Sequence, residues 1–183
     1  MIVQRGRRLL LLTVIVALAT MVGVALQHEL MPRVVLSPAA SVQTGAEQTA
    51  LSAEEEAYAA TLWPIHSEVV EASALDMSLA GVAYATEHHD AQRLEARVLP
   101  LRDRFRTAAE QAQAMVVPAS MQKVHYWYIE ALALYETASA EMVKIAADGK
   151  LEHLIDAQSM SQRAAEDLLK VGDVLWPGEY KPN

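Results

Sequence analysis

Six histidines, His28, His66, His88, His89, His125 and His153, are the side chains of this 183-residue chain best placed to hold a metal or move a proton near neutral pH. His88, His89 and Asp90 stand in one short segment, and Glu152, His153 and Asp156 in another. Imidazole and carboxylate together suit Zn²⁺, Ni²⁺ or Cu²⁺. If the fold brings the two segments to one end, His88, His89, Asp90, His153 and Asp156 form a candidate metal site; the competing reading is a polar pair of solvated turns. His66, Met115, Met121 and His125 offer a second set, of mixed nitrogen and sulfur donors, although methionine at such spacings also fills cores. No other cofactor is expected.

The patterns of the common enzyme sites are missing. With no Cys, thiolate catalysis, Cys-based zinc sites, iron–sulfur ligation and c-type haem attachment are excluded. No Glu stands three residues before a His, as carboxylate-bridged metal bundles require. Neither a phosphate-cradling Gly-rich loop nor a Gly-x-Ser-x-Gly elbow occurs. The chain reads as a binding protein, not an enzyme. Two features suit protein contact. Tyr126, Trp127 and Tyr128 are consecutive, and on a helix they cover about 200° of its circumference, so they cannot all face one core. Aromatic residues on an outer face are enriched at interfaces. Arg93, Arg97, Arg102, Arg104 and Arg106 make one basic strip, suited either to an acidic partner or to acidic neighbouring helices.

These residues depend on helices for their placement. Ser52-Ala53-Glu54-Glu55 matches a capping box and predicts a helix start. Apolar residues then recur every three or four positions in four series: Tyr58, Leu62, Ile65, Val69, Ala72, Leu75, Leu79 and Val82; Leu94 to Met115; Met121 to Ile145; and Leu151 to Leu175. Such steps keep side chains on one helical face. The fourth series is broken by Gln158, Ser161 and Gly172. Asp90 and Ser120 are suited to cap helix starts, Gly149 to end a helix, and short connections make successive helices antiparallel. Pro64 removes a backbone donor, and equal helix lengths favour a break or strong kink there; Pro100 is expected only to kink its helix, because the apolar spacing runs through it.

The remaining feature concerns location. Leu9 to Leu26 contains no charged residue, follows Arg5, Arg7 and Arg8, and with its flanks is long enough to cross a bilayer. The positive-inside rule puts the N-terminus in the cytoplasm and the rest outside. A cleaved signal peptide is the rival reading, but its apolar core is usually shorter. All 23 Asp and Glu follow this run, with 12 of the 15 Lys and Arg, leaving the exported part at −11. Such a surface repels nucleic acid. The sequence therefore predicts an all-α protein: a single transmembrane helix followed by an extracytoplasmic up-down-up-down four-helix bundle. Its parts are a basic cytoplasmic N-terminus (1–8), an anchor (9–31), a flexible linker (32–51), a lead-in helix (52–63), the bundle (64–176) and a tail (177–183). The expected role is an accessory or scaffold subunit of a membrane or envelope complex. Its expected partners are the membrane, through the anchor, and another protein. The alternative is a metal- or small-ligand-binding sensor or carrier.

Overall fold

A computed structural model describes residues 50–87 and 89–177. The expected anchor, the N-terminus before it, nearly all of the linker and the tail beyond Pro177 lie outside these residues. The described part is all helical, as a four-helix bundle requires, and contains no strand. None of its helices is long and apolar enough to cross a membrane.

The first helix runs from Ala53 to Thr86 in three stretches: α1 (Ala53–Pro64), a π-helical segment (Ile65–Glu71) and α2 (Ala72–Thr86). It is followed by α3 (Ala91–Gln113), a 3₁₀ turn (Ala119–Met121), α4 (Gln122–Asp148) and α5 (Glu152–Leu175). The capping box forms as expected. Ser52 N–H donates to Glu55 Oε2 at 2.8 Å, and Ser52 Oγ accepts from Glu55 N–H at 3.4 Å. Asp90 caps α3 by accepting from Arg93 N–H at 3.0 Å, and Gly149 ends α4 with φ 70°. Ser120 behaves differently from expectation. Its hydroxyl donates to Glu55 Oε1 at 2.6 Å, so it ties the start of the first helix to the turn before α4 instead of capping α4.

The chain does not break at Pro64. Pro64, Ile65, Glu71 and Ala72 all keep right-handed helical angles. Proline has no N–H to give the α ladder, and the turns that follow it are closed by bonds of π spacing, from each carbonyl to the N–H five residues on. Ser67 Oγ donates to the Trp63 carbonyl at 2.9 Å, next to this point.

One extra residue in a turn rotates everything after it by about 100°. The inward stripe is therefore Tyr58, Leu62, His66, Val70, Ser73, Met77, Ala80 and Tyr84. Up to Leu62 this is the expected series; from His66 onward it lies one or two residues later. The positions expected to be core, Leu75 and Leu79, are 60% and 42% exposed. A strict 3.6-residue period cannot anticipate such a slip.

The second and third series hold. Leu94, Val98, Leu101, Phe105, Ala108 and Ala112 of α3 are buried, as are Val124, Tyr128, Ala131, Tyr135, Ala138, Met142 and Ile145 of α4. Pro100 sits on the exposed side of α3, where its missing donor does not interrupt the packed face. Phe105 and Tyr135 stack at 4.9 Å and join α3 to α4. In the middle of α5 the core is made by Ala157 and Ala164, while Gln158, Ser161 and Ala165 are half-buried beside them.

The displaced register gives a direct test. Met77→Ala should cost about 2–5 kcal/mol, as for other buried truncations. Leu75→Ala should cost less than about 1 kcal/mol. Urea unfolding of the two variants measures the difference, and the reverse ranking would mean that the unshifted register is correct.

Candidate functional site

The end of the bundle formed by the 87–91 and 149–151 connections carries most of the candidate metal ligands. His153 lies between two carboxylates: Nδ1 is 2.8 Å from Glu141 Oε2, and Nε2 is 3.2 Å from Asp148 Oδ2. Glu141 and then Asp148 hold the imidazole above its ordinary pKa. Lys150, through its backbone N–H and its ammonium, holds the Asp148 carboxyl down to about 2, with His153 adding to the effect. Lys144 pairs with Glu141 as well. His89 has φ 53°, and its Nδ1 is 2.8 Å from the Tyr84 carbonyl, an orphan acceptor at the end of α2. Asp90 is the α3 cap. Asp156 is exposed on α5. His88 lies outside the described residues.

His89, Asp90 and His153 are thus held by protein partners that close helix ends and pair charges. Among the described residues no group of three or more His, Asp or Glu side chains is arranged to hold a metal ion.

The opposite end is aromatic. His66 is fully buried in the π segment, with ring centroids 6.2 Å from Trp63, 5.8 Å from Tyr128 and 5.1 Å from Trp176. Trp176 also meets Trp63 edge-on at 5.0 Å, so it covers this end of the bundle. Burial pushes the His66 pKa down to about 4; the Glu71 carboxylate lies 3.8 Å from Nε2 and is itself raised by burial. The Tyr58 hydroxyl and His125 Nδ1 are hydrogen-bonded at 2.9 Å; burial raises the phenol to about 12 and lowers the imidazole. These groups stay neutral, so the site is a packed seam between the first helix, α4 and the end of α5. His66, Met115, Met121 and His125 do not form the copper-type set: His66 packs on rings, Tyr58 holds His125, and Met121 is core. The spacing signal for His66 was its position four residues after Leu62 and four before Val70.

The contact candidates divide. Tyr126 is 60% exposed, whereas Trp127 packs half-buried against the core with Lys123 Nζ 4.9 Å from its ring centroid. Arg93 pairs with Glu87 at 3.1 Å and Arg97 with Asp76 at 3.8 Å, both toward the first helix. Arg102 and Arg106 turn to Asp103 in their own helix, and Arg104 is exposed. Much of the strip therefore serves internal pairing. The face missed from sequence is the outer side of α2, where Leu75 and Leu79 stand exposed.

The chain matches no protein-family model, no curated protein and no solved structure.

His66 makes the fold acid-sensitive. Its pKa in the folded state is about 4, against about 6.5 when the chain is unfolded. At neutral pH both forms are uncharged and nothing is lost. As pH falls below 6.5 the unfolded chain takes up the proton first, and stability drops until about pH 4. By pH 4.5 the loss is about 2–3 kcal/mol. His66→Phe should remove this loss, read as the stability difference between pH 7 and pH 4.5 in urea. An unchanged difference would place the acid sensitivity elsewhere.

Proposed function

We propose that this chain is a non-enzymatic, membrane-anchored, extracytoplasmic helical bundle that serves as an accessory or scaffold subunit of a membrane or envelope complex, and that the outer face of α2 is its contact surface. The observation that carries this reading is the composition of α2. Its 15 residues include a single charged one, Asp76. Its inner side packs the core through Met77, Ala80 and Tyr84, while Leu75 and Leu79 face outward one turn apart. A helix that is apolar all round is ordinarily buried all round, and exposed apolar stripes mark interaction sites. By contrast, α3 alternates a buried stripe with a charged outer face.

The partner that fits is a helix with an apolar face and basic residues at one end. Those residues would meet Glu68 and Glu71, which are exposed just before the stripe. The anchor rests on the uncharged run Leu9–Leu26 and the arginines before it. A metal carrier is the weaker reading, because His89 and His153 already bind protein oxygens.

The test is photo-crosslinking of the full-length chain in the membrane of the cell that makes it, with a benzophenone side chain at position 75. One discrete heteromeric adduct is expected. Leu75→Glu with Leu79→Glu should abolish co-purification of that protein in mild detergent while moving Tm by no more than about 3 °C. No adduct, or only one of twice the chain's own mass, would remove the accessory reading.

A further inference from the structure

The three-helix packing of the bundle is tight from α3 through α4 to α5, and α2 lies against α3. Between α2 and α5, on the other side, a cleft of about 90 Å³ remains. Met77 and Gly81 line it from α2, Tyr135 and Met142 from α4, and Gln158 and Ser161 from α5. Each of its lining residues is uncharged, in a chain whose net charge is −8. At about 10–15 Å³ per water, the space holds about six to nine waters, or a molecule of about as many heavy atoms.

Three observations set this cleft apart from a packing fault. A Cβ at position 81 would meet Leu154 Cδ1 at 3.3 Å and Met142 Cε at 3.4 Å, so the glycine lets these two lining side chains come close to the α2 backbone at the cleft wall, although it weakens a helix interior. Tyr135 is only 5% exposed and lines the cleft, and its hydroxyl makes no hydrogen bond to any described residue. Gln158 and Ser161 interrupt the apolar series of α5 at this point. The Ser161 proton goes to the Ala157 carbonyl at 2.7 Å, which leaves its oxygen as an acceptor.

We propose that the cleft between α2 and α5 binds a small uncharged molecule with a flat apolar body and one hydrogen-bonding group, the body lying between Met77 and Met142 and the polar group meeting the Tyr135 hydroxyl and the Gln158 amide. Methionines adapt to irregular shapes and make favourable contacts with aromatic rings. A charged ligand would lose its hydration with no counter-charge to meet it. The cleft is lined from α2 by Met77, Ser78 and Gly81, and Leu75 and Leu79 are not among its lining residues.

The test uses the full-length protein in mild detergent, labelled with ¹³C at the methionine methyls. Benzyl alcohol is the probe; benzoate and benzylammonium are its charged counterparts. The Met77 and Met142 methyl resonances should shift saturably with benzyl alcohol, with half-saturation at or below about 1 mM. Both charged counterparts should bind at least tenfold more weakly. Ser161→Leu and, separately, Ala165→Leu should fill the cleft and weaken binding at least tenfold, and whichever of the two retains the parent Tm decides the point. Tyr135→Phe keeps the ring and should weaken binding by about threefold or more. Shifts that grow linearly without saturating, equal binding of benzoate, or undiminished binding by a folded cleft-filling variant would each overturn the proposal.

Discussion

Pro64 has no backbone N–H, and the first helix must continue past it. It does so through the π-helical segment Ile65–Glu71, where carbonyls reach one residue further than in an α-helix. The extra residue turns α2 about its axis. His66 and Val70 continue the inward stripe four and eight residues after Leu62, and beyond the π segment Met77 and Tyr84 face the core while Leu75 and Leu79 turn outward. The exposed stripe and the α2 wall of the cleft take their positions from this rotation.

The two ends of the bundle respond oppositely to pH. His66 is kept neutral by burial, so protonation opposes the fold. His153 sits between Glu141 and Asp148, which raise its pKa, so its contribution is fully present below the ordinary histidine range and fades as pH rises through the folded value. One end is therefore held by ring packing and the other by paired charge. Neither arrangement leaves its histidines free for the chemistry that their residue types would allow elsewhere.

Small residues decide how closely the helices approach. Ala108, Ala112, Ala131 and Ala138 let α3 and α4 pack tightly. Ala157 and Ala164 do the same for α5 against its neighbour, while Gln158, Ser161 and Ala165 beside them face a gap. The polar interruptions that weaken the fourth apolar series are thus positions where the core is not closed. A side chain able to hydrogen-bond is tolerated there because it meets an opening and not a packed wall.

Much of this architecture is written locally. The capping box at Ser52, the Asp90 cap, the αL glycine at 149 and the apolar periods of α3 and α4 depend on neighbours within a turn or two, and short-range rules are enough to find them. The single charge in α2 was equally visible, but its meaning was not, because a stretch apolar on every side does not say which side is inner. That choice belongs to the tertiary structure: it follows from how the chain accommodates Pro64 and from which face finds α3 and α4. The same holds for the histidines, whose types and spacing suggested metal ligands. The packed fold gave His89 a carbonyl, His153 two carboxylates and His66 a cage of rings, because those partners come from helix ends and neighbouring helices that no linear spacing brings together.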